Sequence, residues 1–347
     1  MTFRDNRRMR ALAGMALAAL YWGGIGVAAA SPVYNGGPVL TVPVDMNFIW
    51  YGAWTGNTAT AILPRLIDDL NGSTYMHTLS SFVSPATSQV PTETTNMSGN
   101  YFIDSSSSAT LWKGASLDGT VGATGTASIQ SIVAAVIGTH GLTDPNALYF
   151  VLTAPSISVS GFGTQFCGWH NTTSSGSVLA TQFGFIGAPA GFGSGCDASV
   201  QRSAGINGNF AADAMASVIA HELIETITDP TGFSWWDSFS PQGNGNTGGF
   251  ENSDMCNFRF GATNSVGGAN YNVVLNGDKY LLQQQWINDP SPGTNHLNNN
   301  GGQCGLSVAF STAAPEPSAL SLLALGIFGL RWLRRRRAGS GIVTGAA

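Results

Sequence analysis

The run Ser217-Val218-Ile219-Ala220-His221-Glu222-Leu223-Ile224-Glu225 constrains this chain more than any other, because it reads as a helix with two unlike faces. Residues four apart on a helix stack on one side, so His221 and Glu225 converge, with Glu222 one step around from them. At about 100° per residue, that side also carries the small residues Ala214, Ser217 and Val218. The opposite side carries Ala212, Met215, Ala216, Ile219, Leu223 and Ile227, a continuous apolar stripe for a core. A polar surface helix would need no more explanation. In the zinc pattern H-E-x-x-H, two histidines hold the ion and the glutamate between them activates water. Here Glu225 stands where the second histidine would be, and carboxylate is an acceptable zinc ligand.

Thr228-Asp229-Pro230-Thr231-Gly232 ends the helix, since proline cannot continue it and glycine permits a turn. A metal site on a helix needs a third protein ligand from elsewhere. Glu251 and Asp254, in Phe250-Glu251-Asn252-Ser253-Asp254-Met255-Cys256, are the nearest downstream candidates, and His170 and Asp237 are further ones. The expected ion is divalent, with zinc the first choice, although a donor set of one imidazole and carboxylates also suits harder metals. Glu222 is the expected catalytic residue, a general base toward metal-bound water.

Both ends read as addresses. Arg4, Arg7, Arg8 and Arg10 precede an apolar run, Ala11 to Ala29, and the small-residue site Ala28-Ala29-Ala30, so residues 1–30 form a secretory signal peptide. At the other end, Pro315-Glu316-Pro317 precedes the apolar run Ala319 to Leu330 and a cluster ending Arg334-Arg335-Arg336-Arg337. Those three features in that order resemble a PEP-CTERM sorting signal over residues 315–337, with an extra tail at 338–347. The resemblance implies processing by an exosortase and delivery to the cell surface or extracellular matrix. The apolar run is short of the roughly 20 residues that span a bilayer. It implies a transient membrane tether before processing, with the arginines on the cytoplasmic side. The expected partners are thus the secretion machinery and exosortase, with a cell-surface polysaccharide or matrix beyond them.

Removing both ends changes the electrostatics. Four of the 14 basic residues precede Ala30 and five follow Leu330, leaving 5 in the body against 17 of the 19 acidic ones, a formal charge of −12. So acidic a body excludes nucleic acid as a partner and favours cations.

Residues 31–314 read as one mixed α/β (α+β) zincin-like domain. Strands are expected at Val39 to Tyr51, Ala147 to Thr153 and Gln182 to Gly187. Helices are expected at Thr60 to Leu70, interrupted near its start by Pro64, and at Ser128 to Ile137. The metal helix should begin near Asn209, a good cap. Val90 to Gly122 reads as polar and irregular. Asn272 to Trp286 reads as a hairpin turning at Asn276-Gly277-Asp278. Four cysteines in an exported body favour two disulfides. Of the three pairings, Cys167–Cys196 and Cys256–Cys304 are expected, with Cys256 as a metal thiolate the competing reading.

Several blocks together resemble the exordium/phosphate-induced-protein-1 family. They are Gly36-Gly37-Pro38-Val39-Leu40 with Asn47 to Gly52, Tyr149 to Ala154, Phe166 to His170, Ser217 to Glu225, Glu251…Asp254…Cys256, Lys279 to Gln283 with Trp286, and Gly302 to Gly305. The family implies an extracellular wall or matrix protein and brings no enzymatic activity with it. Three functions therefore compete: a matrix protein with a metal site, a secreted metallohydrolase acting on peptides, and a carbohydrate-binding module using Trp50, Trp54, Trp112, Trp235, Trp236 and Trp286.

Overall fold

The computed structural model describes residues 32–104, 116–173, 180–191, 195–197, 205–237, 250–288 and 302–307. The signal peptide, the sorting signal with its apolar run, and Trp112 lie outside them. Among the described residues no helix is long and apolar enough to cross a membrane.

A five-stranded mixed sheet organises the chain. Its strands are β1 (Val44–Tyr51), β2 (Thr95–Ile103), β3 (Ala147–Thr153), β4 (Gly168–Thr172) and β5 (Gln182–Gly187). They lie in the order β2-β1-β3-β5-β4, parallel except that β4 runs antiparallel to β5 at the edge. The three inner strands are buried along nearly their whole length, which is why β3 reads Ala-Leu-Tyr-Phe-Val-Leu-Thr without alternation. From β1, helix α1 (Ala59–Leu70) leads outward to β2. Helix α2 (Ile129–His140) then leads back across to β3 on the other side of β1. Right-handed crossovers in opposite directions place those helices on opposite faces of the sheet. The long helix α3 (Phe210–Thr228) packs against α1, β4 and β5.

Sequence and structure agree closely at β3, β5 and the start of α3. Asn209 Oδ1 accepts the Ala212 N–H at 3.1 Å, capping the first turn as a cap residue should. Elsewhere the differences have physical causes. The first strand starts at Val44 rather than Val39, beyond Pro43, which has no N–H to offer a ladder. Helix α1 runs unbroken through Pro64 from Ala59, because burial of Leu63, Leu66, Ile67 and Leu70 offsets the missing hydrogen bond. The stretch expected to be irregular contains β2. Its alternating exposure marks an edge strand held by pairing with β1, and Asn100 Oδ1 accepts the indole N–H of Trp50 at 2.8 Å. The expected hairpin is present as Val273–Leu275 paired with Asp278–Tyr280, and Asn276 and Gly277 both have positive φ, as its tight turn demands.

Both expected disulfides are formed, Cys167–Cys196 and Cys256–Cys304, so Cys256 is not a metal thiolate. The second one belongs to a small apolar cluster with Val39, Phe82, Trp235 and Trp286. That cluster anchors the Phe250–Cys256 segment beneath the end of α3.

Candidate functional site

Helix α3 is buried on nearly every side. Its apolar stripe packs into the main core, and its polar side is covered as well, with His221 9%, Glu222 4% and Glu225 3% exposed. Burying imidazole and carboxylates is costly unless each finds a partner. Two other elements supply the partners, the edge strand β4 and the 250–256 segment.

The segment is stitched to the helix at several points. Asp254 N–H donates to Glu225 Oε1 at 3.0 Å and Ser253 Oγ–H to the His221 carbonyl at 3.2 Å. Gln283 Nε2–H donates to the Ser253 carbonyl at 2.8 Å, and the Gln283 backbone N–H to Ser217 Oγ at 3.0 Å. Asp254 Oδ1 is thereby brought to 3.4 Å from His221 Nε2, which lies 3.1 Å from Glu225 Oε2. Glu251 is placed differently. Its Oε2 is 2.8 Å from His170 Nε2, on β4, and that imidazole is 3.9 Å from Glu225 Oε2. Two groups of potential donors result, His221–Glu225–Asp254 and His170–Glu225–Glu251, each with its donor atoms within 4.8 Å of one another. Asp237 belongs to neither; its backbone N–H donates to the Phe250 carbonyl at 2.8 Å.

Strand β4 approaches α3 closely enough to require glycine. A Cβ at Gly168 would stand 2.6 Å from Val218 Cγ1, 2.9 Å from the Phe185 carbonyl oxygen and 3.0 Å from Glu222 Oε1. The glycine thus sets how near His170, two residues on, comes to the helix.

The structure adds one carboxylate that the sequence reading passed over. Asp229, buried at the end of α3, accepts the N–H groups of Phe233 and Ser234 at 2.7 and 2.8 Å and shares a hydrogen bond with Glu251. The signal was present in the spacing. His221, Glu225 and Asp229 continue one i, i+4 series, with Asp229 also serving as the helix stop.

Crowding of carboxylates shows in their proton affinities. Burial pushes Glu222 up to about 8, with the His221 charge opposing and the Glu225 charge adding. Burial also raises Glu251 well above the usual range, reinforced by the charges of Glu225, Asp229 and Asp254 and the hydrogen bond to Asp229. Burial alone would lower His221. The Glu225 charge, hydrogen bonds to Asp254 and Glu225, and the Glu222 charge outweigh it and hold the imidazole well above its ordinary value.

These side chains line a cleft of about 1230 Å³ open to solvent, whose walls also include Phe166, Trp236 and Phe258. Of the tryptophans considered as sugar platforms, Trp50, Trp54, Trp235 and Trp286 are buried in the core and offer no face to a ligand. Of the six, Trp236 lines the cleft.

Comparison with known proteins agrees with this reading of the chain's blocks. The PEP-CTERM protein-sorting motif matches residues 313–337, and a chain carrying it is exported and sorted to the cell surface by an exosortase. Protein EXORDIUM-like 3 of Arabidopsis thaliana is 27% identical over 282 residues, 73% of this chain and 79% of the relative. Protein EXORDIUM-like 5 of the same plant is 24% identical over 288 residues, 74% of this chain and 75% of the relative. No solved structure matches. The phosphate-induced protein 1 conserved region matches residues 33–294, β1 to the hairpin and both donor groups included, and the chain belongs to that family.

Proposed function

We propose that this exported surface protein is a zincin-like metal-dependent hydrolase, with a divalent cation, zinc first, held by His221, Glu225 and Asp254 and with Glu222 as general base. The observation that carries the reading is the state of Glu222. As a residue Glu222 is 4% exposed, and it lines the same cleft as the donors. No hydrogen bond from its carboxyl to a described residue is formed, and its oxygens are not among the fully buried, unpartnered atoms. A carboxyl with no protein hydrogen-bond partner at the wall of an open cleft is placed to meet water there, which is what a general base needs.

The donor chemistry fits such an ion. Ligands about 2.0–2.2 Å from a tetrahedral zinc stand about 3.3–3.5 Å apart. The His221–Glu225 and His221–Asp254 separations of 3.1 and 3.4 Å are close to that. A bound divalent cation supplies Lewis acidity. The chain's own residues do the rest. Glu225 Oε1 and Asp254 N–H lock helix and segment together, a bound cation would favour the ionised form of Glu222 so that it can take the proton of the attacking water, and the cleft walls position the substrate, with peptides the first class to test.

A second reading is favoured by the same short contacts. His221 and His170 each already lie against a carboxylate, so the cluster supports a non-catalytic matrix protein held by ion pairs or by a structural metal. Metal analysis of the secreted, processed protein, paired with peptide-library hydrolysis by wild type and Glu222→Gln, separates the two. Metal with hydrolysis lost in Glu222→Gln supports the hydrolase. Metal without hydrolysis in the wild type supports the structural role.

A further inference from the structure

We infer that the cleft holds two divalent cations, with Glu225 Oε2 shared between them. The inference rests on the reading of His221, Glu225 and Asp254 as a metal site and extends it to a second ion at His170 and Glu251.

The sharing follows from which oxygen of Glu225 is free. Oε1 accepts the Asp254 N–H at 3.0 Å, so it is already engaged. Oε2 faces both imidazoles, 3.1 Å from His221 Nε2 and 3.9 Å from His170 Nε2. Around it the donors divide into two sets, each with one imidazole nitrogen and a carboxylate from the 250–256 segment, and each with its atoms within 4.8 Å. A carboxylate between two such sets is how paired metal sites, with ions about 3.5–4 Å apart, are built.

The make-up of the cleft lining agrees with this arrangement. Glu222, Glu225, Asp229, Glu251 and Asp254 all line the cleft, and among its described lining residues there is no lysine or arginine.

The second set is also held in place. His170 sits on β4, paired in register with β5 opposite Gly184. Asp229, fixed by the amides of Phe233 and Ser234, orients Glu251 from behind, as outer partners of metal-binding carboxylates do.

The test is metal stoichiometry on the secreted, processed protein after chelation and reloading with Zn²⁺ alone and, separately, Mn²⁺ alone. The inference predicts two ions per chain and an exchange-coupled manganese spectrum in the wild type. His170→Ala and the near-isosteric Glu251→Gln should each retain one ion and give an uncoupled spectrum. Circular dichroism identifies any variant that fails to fold, and wild-type stoichiometry with its spectrum decides the matter without variants. One ion in the wild type, lost in His221→Ala and kept in His170→Ala, overturns the second ion and leaves the first standing. No ion in the wild type overturns both.

Discussion

The Asp254 backbone N–H donates to Glu225 Oε1 at 3.0 Å, across 29 positions of sequence. That contact decides the geometry of the cleft. It fixes the 250–256 segment against α3, engages one oxygen of Glu225 and leaves the other facing both imidazoles. A carboxylate at position 225 is therefore structural through one oxygen while its other oxygen faces the two imidazoles.

Because the segment is anchored by Cys256–Cys304, removing that disulfide should loosen the cleft. The bridge closes a separation of 48 residues, for which loop entropy gives about 4 kcal/mol of stabilisation. The paired substitution Cys256→Ser with Cys304→Ser should lower the urea midpoint accordingly and weaken metal binding as well. Unchanged metal affinity in a folded double variant would show that the segment needs no such anchor. In the wild type, alkylation of denatured, unreduced protein should label no cysteine.

Close approach of β4 to the helix makes a second prediction. Gly168→Ala puts a methyl group against Val218 Cγ1, Glu222 Oε1 and the rigid Phe185 carbonyl. Overpacking of this kind costs about 1–3 kcal/mol, read as a lowered urea midpoint. Adding Val218→Ala should restore part of the loss but not all, since the Phe185 contact remains. Full stability in Gly168→Ala would mean that strand and helix separate freely.

Asp213, buried in the first turn of α3, supplies a prediction about pH. Burial pushes it up to about 6, against hydrogen bonds from Asn207 that pull it down. Between about pH 4 and 6 the native state therefore keeps a proton that the unfolded chain has released. Its contribution to stability is complete below that window and declines as pH rises through it. A shift of about two units corresponds to about 3 kcal/mol. Urea midpoints measured with chelator from pH 4 to 7 should fall less steeply in Asp213→Asn than in wild type. Parallel profiles would refute the assignment.

How much of this was legible in sequence depended on whether a residue's neighbours in the chain are also its neighbours in space. Strands β3 and β5 announce themselves because both faces are buried, so composition alone suffices. The start of α3 is written in Asn209 and the apolar stripe behind His221. Strand β2 is not legible, because Thr-Asn-Met-Ser-Gly-Asn has little strand character of its own and is extended only because β1 lies alongside it. The site divides in the same way. His221, Glu222 and Glu225 follow from helical spacing, and both Asp254 and Glu251 from proximity to Cys256. Which of those two carboxylates meets His221 could not be read, since it depends on the fold of the 250–256 segment. His170 enters through the antiparallel placement of β4, a tertiary fact. Asp229 is legible in the i, i+4 spacing from His221 and Glu225.

The central claim is that His221, Glu225 and Asp254 hold a cation for which Glu222 works, and metal content measured beside hydrolysis tests it most directly. Secreted, processed wild-type protein should carry stoichiometric divalent metal and cleave members of a broad peptide library. Glu222→Gln should keep the metal and lose at least a hundredfold in rate, the usual worth of a positioned base. His221→Ala should lose the ion of its own donor set while remaining folded. A wild-type protein that binds no divalent metal at micromolar concentrations, or whose hydrolysis survives Glu222→Gln intact, would contradict the account.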